Sequence, residues 1–232
     1  RISSARCRTV NHRIMGKNFD LLVFDWDGTL MDSTGAIVAA IQSACRDLGL
    51  PEPSNARASH VIGLGLADAL RYAVPTLKED RFPQMIERYR YHYLSRDHEL
   101  DLFSGVFDLV SGLHTAGFHL AVATGKSRAG LGRSMARSGL AKFFSATRCA
   151  DECHSKPHPQ MLEELLSEFF LPPERALMIG DTTHDLQMAS NASMSALAVA
   201  YGAHPADLLD SMSPLARLHS VKELGEWLYQ NA

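Results

Sequence analysis

The chain of 232 residues is short of several things, and each shortage removes a class of protein. It has no run of about eighteen apolar residues, so a membrane-spanning helix is excluded. It has four cysteines (Cys7, Cys45, Cys149, Cys153), too few for a secreted disulfide scaffold, and a count that fits the reducing cytoplasm. It lacks internal repeats and low-complexity tracts, and its composition is not that of a collagen, a coiled coil or a disordered chain. Residues 1–18 hold no acid and five basic side chains (Arg1, Arg6, Arg8, Arg13, Lys17). They also lack the apolar core of a secretory signal.

What is present is an ordinary core-forming composition, 46% hydrophobic and 21% charged, enough for one large domain or a main domain with an insert. The formal charge of −3 is a cancellation, because residues 19–232 carry 18 basic against 26 acidic groups, a balance of −8. So acidic a body is ill suited to nucleic acid, whose binding depends on neutralising phosphates. The basic segment 1–18 reads as a non-catalytic N-terminal extension, with Met15-Gly16-Lys17 a natural start just before the first strand. Its Arg- and Ser-rich composition also resembles an organellar transit segment.

From Phe19 the chain alternates between apolar runs and helical periodicity. The runs Phe19–Phe24, Phe118–Ala123, Ala176–Ile179 and Ala196–Ala200 each stop at glycine, threonine or acid, as buried strands do, and a further strand is expected around Ser145–Arg148. Helical stretches lie at Val106–Ala116, Arg128–Ser138 (closed by Gly139), Pro157–Phe170 and Val221–Tyr229. This order predicts an α/β fold, a Rossmann-like doubly wound parallel sheet. Residues 31–102 break the rhythm. Ile37, Ile41, Ala44 and Leu48 mark one helix, Ala67–Tyr72 another, and Lys78–Arg96 a third with Pro83 as its start or a kink. The expectation is an all-helical domain over 31–102, set into a core of residues 19–30 and 103–232.

Ligands of open parallel sheets bind at the carboxyl ends of the strands. Those ends hold Asp25 and Asp27, then Thr124 and Gly125, then Lys156, then Asp181 and Asp185. Four carboxylates in one crevice repel unless a cation offsets them, and oxygen ligands without paired His or Cys point to Mg²⁺. A lysine, a hydroxyl and backbone N–H groups suit a phosphate. Metal and phosphate in one crevice mean phosphoryl transfer.

Asp25-Trp26-Asp27-Gly28-Thr29-Leu30 resembles the first motif of the haloacid dehalogenase-like (HAD) hydrolase superfamily. Thr124 after Val122-Ala123, Lys156 before Pro157, and Gly180-Asp181 with Asp185 match the other three in order. The helical insert resembles that superfamily's C1 cap, and the whole is similar to its phosphoglycolate-phosphatase-like members. The resemblance implies a Mg²⁺-dependent phosphatase of a small phosphorylated metabolite, with a movable cap closing over the site. Asp25 would be the nucleophile that forms an aspartyl-phosphate. Asp27 would be the acid and base, and Thr124, Gly125 and Lys156 would hold the phosphate. The metal ligands implied are Asp25, the backbone carbonyl of Asp27, Asp181 and Asp185. Asp27 also sets the chain apart from the superfamily's dehalogenases. A β-phosphoglucomutase-like phosphomutase, a pyrophosphatase or nucleotidase, and a non-catalytic metabolite-binding module are the alternatives.

Other residues read more plainly. Gly125-Lys126-Ser127 mimics a P-loop ending, but Leu120 stands where the first glycine belongs. Lys126 and Arg128 are expected either at the substrate or in solvent. Asp151 or Glu152 could pair with Lys156. Gly63-Leu64-Gly65-Leu66 reads as a turn between helices that could face the site. Cys149, Cys153, His154 and His158 match no standard zinc spacing. Tyr89 and Tyr93, at i and i+4, are expected to pack within the helices, with Arg90 beside them a candidate for an anionic substrate.

Overall fold

The computed structural model describes residues 17–232, so the extension expected over 1–18 lies almost wholly outside the described residues. Six parallel strands form one sheet in the order β3-β2-β1-β4-β5-β6. They are β1 (Leu21–Phe24), β2 (His119–Thr124), β3 (Ala146–Cys149), β4 (Ala176–Gly180), β5 (Ser195–Val199) and β6 (Ala216–Leu218). The apolar run of β1 is continuous because both of its faces are covered. Leu22 and Phe24 join one core with helices α5 (Val106–Thr115), α6 (Arg128–Ser138) and α10 (Val221–Asn231). Leu21 and Val23 join the opposite core with α7 (Gln160–Phe169) and α8 (Thr183–Asn191). This is the doubly wound α/β architecture that the strand–helix alternation predicts.

Between β1 and α5 the long elements are helical: α1 (Thr34–Asp47), α2 (Asn55–His60), α3 (Leu66–Ala73) and α4 (Phe82–Arg96). They close on their own cluster, which includes Ile41, Ala44, Leu70, Phe82 and Met85. Pro83 falls in the first turn of α4, where its missing N–H costs no helical bond, and a separate 3₁₀ turn, Glu79–Arg81, precedes it. The segment's two connections to the sheet run side by side. Phe103 N–H donates to the Leu30 carbonyl and Asp32 N–H to that of Asp101, both at 3.0 Å, with a bridge between Met31 and Leu102.

Three short elements have no counterpart in the sequence reading: α2, α9 (Ala206–Asp210) and β6. Each spans six residues or fewer, too short for periodicity to register. Among the described residues no helix is long and apolar enough to cross a membrane.

Candidate active site

The sheet register sets the site. Phe24 pairs with Val122 on one side and Ile179 on the other, so Asp25, Thr124 and Asp181 emerge together at the carboxyl edge. Asp25, Asp181 and Asp185 each offer an oxygen within 4.8 Å of the others, and all three are buried. Lys156 reaches into this group and donates at 2.6 Å to Asp25 Oδ1 and at 2.6 Å to Asp185 Oδ1. Burial lowers the lysine's pKa, but the charges of Asp185 and Asp25 outweigh it and hold the ammonium above its ordinary value. Burial pushes the Asp25 carboxyl well up against the pull of Lys156, with Asp185 and Asp181 adding to the rise. Asp181 is pushed up to about 7 by burial and then by Asp185.

The oxygens of these carboxylates are unequally occupied. Asp181 Oδ1 accepts from the Thr29 hydroxyl at 2.8 Å, and its Oδ2 from the Ala203 N–H at 2.7 Å. Asp185 Oδ2 accepts from the Thr182 N–H and hydroxyl at 3.1 and 2.6 Å, closing a capping box at the start of α8. Asp25 Oδ2, by contrast, is buried and has no hydrogen-bond partner, alone in this among the buried side-chain polar atoms of the described residues. An orphaned carboxylate oxygen inside a cluster of like charge fits a hard divalent cation. Glycine makes the crowding possible: Gly28 has φ +87°, and a Cβ there would overlap the Asp181 carboxylate.

Trp26 explains the spacing of the two N-terminal aspartates. Its ring is buried in the core and its indole N–H donates to Ser134 Oγ at 2.8 Å, anchoring the turn between Asp25 and Asp27. The Asp27 side chain lies outside the three-carboxylate cluster. Its Oδ1 accepts from the Ser33 hydroxyl at 2.5 Å and from the Lys126 ammonium at 2.8 Å. Lys126 also meets the Tyr93 hydroxyl at 2.8 Å, so a residue of α4 reaches the sheet edge. Burial lowers the Lys126 pKa, but the charge of Asp27 more than offsets this and raises it.

Thr124 is buried, and its hydroxyl oxygen accepts from the Lys126 N–H at 3.2 Å. The turn Gly63–Gly65 lies directly over the next residue: a Cβ on Gly125 would overlap the Gly63 and Leu64 carbonyl oxygens. Gly65 N–H donates to Ser155 Oγ at 2.8 Å, beside Lys156.

A model of the haloacid dehalogenase-like hydrolase family matches residues 22–199. This chain belongs to that family. It is 34% identical over 210 residues to the probable phosphatase IndB of Dickeya dadantii, covering 88% of this chain and 91% of the relative. It is 32% identical over 217 residues to the tyrosine-protein kinase PtkA of Mycobacterium tuberculosis, covering 92% and 74%. Among solved structures, a predicted phosphoglycolate phosphatase from Haemophilus somnus 129PT superposes with a TM-score of 0.82 at 26% identity, covering 90% of this chain and 98% of the other. The chain is thus a phosphatase-like HAD hydrolase.

In this HAD hydrolase the remaining expected residues divide sharply. Lys126 is neither solvated nor an isolated cation, because Asp27 and Tyr93 hold it. Arg128 turns outward to Glu152 and Thr147, and its N–H donates to Asp151, so those acids serve Arg128 and not Lys156. Among the described residues the three aspartates are the sole cluster with metal-ligand geometry, and Cys149, Cys153, His154 and His158 form none. Arg90 is exposed at the cavity beside the site.

Sequence reasoning missed Ser33, the Lys126–Tyr93 contact and a group of three histidines. His184 Nε2 and His204 Nε2 lie 2.7 and 3.1 Å from the carbonyl oxygen of His60, tying α2 to the sheet edge. His204 Nδ1 accepts from the Thr183 N–H at 3.0 Å, which fixes the neutral tautomer, and burial lowers its pKa to about 4. Nothing in their sequence spacing brings these rings together.

Proposed function

We propose that this HAD hydrolase is a Mg²⁺-dependent phosphatase of a small phosphorylated metabolite, working through an aspartyl-phosphate on Asp25. The observation that carries the reading is Asp25 Oδ2, a buried carboxylate oxygen with no partner, beside two more carboxylates and a lysine. A carboxylate needs no deprotonation to act as a nucleophile; its obstacle is repulsion from the phosphate. Asp25, Asp181, Asp185 and the Asp27 backbone carbonyl would hold Mg²⁺, which supplies charge neutralisation between the phosphate and these acids. One oxygen of the Asp25 carboxylate attacks phosphorus, and Lys156, donating to Oδ1, holds the plane of the carboxylate. Thr124, the Gly125 N–H and Lys156 bind the equatorial oxygens, where charge gathers in the transition state. Asp27, kept in place by Ser33, passes a proton to the leaving oxygen and then takes one from the attacking water.

The helical residues 31–102 act as a cap over a core of residues 19–30 and 103–232, and the turn Gly63–Gly65 is the part of the cap that seals the site from bulk water. Free thiols at Cys45, Cys149 and Cys153 suit the cytoplasm. The test is phosphate release from a panel of phosphate esters with Mg²⁺ or with EDTA, for the native chain and for Asp25→Asn. Release that requires Mg²⁺ and is lost in the variant is expected. Undiminished release by Asp25→Asn refutes the nucleophile, and an isomerised ester without free phosphate identifies a mutase instead.

A further inference from the structure

A cavity of about 800 Å³ lies between the helical segment and the carboxyl edge of the sheet. Asp27 and Lys126 line its core side, and Leu64, Leu66, Ile86, Tyr89 and Leu94 line its helical side. On the phosphatase reading, on which this inference rests, the leaving oxygen departs beside Asp27, so the leaving group occupies this space. Cavities of roughly 300–1,000 Å³ hold ligands of many atoms, and a two-carbon acid such as glycolate would leave most of this one to water.

Charge points the same way. A hydroxy-acid leaving group brings a carboxylate that needs a cation close to the phosphate. The ammonium nearest Asp27 is already shared between the Asp27 carboxylate and the Tyr93 hydroxyl, at 2.8 Å each. The arginines that line the cavity, Arg90 and Arg133, are both exposed, and Arg133 leans toward Asp97 at 4.0 Å. From the turn Gly63–Gly65 and from α4 the cavity is faced mainly by Leu64, Ile86, Tyr89 and Leu94, with Arg90 and the Tyr93 hydroxyl, which Lys126 already meets, as the polar groups of α4 there.

We propose that the substrate is a phosphate monoester whose alcohol carries an extended apolar body, packed against Leu64, Ile86, Tyr89 and Leu94. A short hydroxy acid is not the leaving group. The alkyl phosphates from ethyl to hexyl test this cleanly, because their leaving oxygens differ little in basicity. With Mg²⁺ present, kcat/KM is expected to rise about three- to four-fold per methylene, the equivalent of ~0.8 kcal/mol for each buried CH₂. Hexyl phosphate is expected to exceed 2-phosphoglycolate. Leu94 is 46% exposed, so Leu94→Asp can fold normally, and it should flatten the series. Ile86→Trp, which fills the cavity, should cut the hexyl ester more than the ethyl ester. A flat series, or 2-phosphoglycolate turned over faster than hexyl phosphate, overturns the proposal and leaves the phosphatase reading standing. No turnover of any ester would end both.

Discussion

Lys156 and Asp25 meet at 2.6 Å with both side chains out of water, and the same ammonium lies 2.6 Å from Asp185. One cation thus stabilises a buried cluster of three carboxylates. Removing one partner of a buried pair leaves charge unpaired and costs about 3–5 kcal/mol. Lys156→Met is therefore expected to lower stability by about that much and turnover by about a hundredfold or more. Because the lost charge is positive, Mg²⁺ should restore part of the stability and little of the turnover. Denaturant melts with and without Mg²⁺, beside phosphate-release rates, read both effects.

Asp181 predicts how the metal-free protein responds to pH. Its folded pKa is raised to about 7, against 3.8 for the free side chain. Between those values the folded chain holds a proton that the unfolded chain has lost, so this group's stabilisation is complete below the lower value and disappears as pH rises toward 7. In EDTA the melting temperature should fall across that window, and Asp181→Asn should remove this part of the slope. Added Mg²⁺ should raise the melting temperature more at pH 8 than at pH 5, since it competes with the proton. An equal rise at both pH values would contradict the assignment.

Gly28 is tested by a single methyl group. Its φ of +87° is strained for any other residue, and a Cβ would overlap the Asp181 carboxylate. Gly28→Ala is expected to cost about 1–2 kcal/mol from the backbone alone. It should also weaken Mg²⁺ binding by displacing Asp181 from the Thr29 hydroxyl. Circular dichroism separates loss of fold from loss of metal response in a calorimetric Mg²⁺ titration.

Tyr93, Lys126 and Asp27 form a line from helix α4 to the sheet edge. Tyr93→Phe keeps the ring and removes one hydrogen bond, so a stability loss of about 0.5–1.5 kcal/mol is expected. Lys126→Met leaves the Asp27 carboxylate to Ser33 alone and should lower kcat by about ten- to a hundredfold. Lys126→Arg should recover part of that rate. A denaturant melt reads the Tyr93→Phe loss, and steady-state kinetics on one ester reads the two Lys126 variants.

The sequence reveals most where a residue's position follows from its own strand. Asp25, Thr124 and Asp181 sit at strand ends, and strands announce themselves by apolar runs that stop at polar residues, so their meeting at one edge is foreseeable. Lys156 is foreseeable by order along the chain. Its partners are not, because Asp151 and Glu152 are nearer in sequence yet go to Arg128. Ser33, Tyr93 and the histidines 60, 184 and 204 depend on how the helical segment settles on the sheet, which no periodicity encodes. The connections at Leu30 and Phe103 pair with each other and not with the sheet, a contact that no apolar run or periodicity marks.

The place of β1 in the middle of the sheet has a consequence for the birth of the chain. Its partners begin at His119 and Ala176, so the ribosome releases four wholly apolar residues long before either neighbour exists. At synthesis rates of about 5–20 residues per second, Leu21–Phe24 waits on the order of ten seconds for β4. The helices that follow it make contacts with near neighbours in the chain and can fold in the meantime. The strand that leads into Asp25 therefore stays without either of its edge partners while the helical segment is made. A nascent chain stalled before Ala176 would carry ordered helices and no active site.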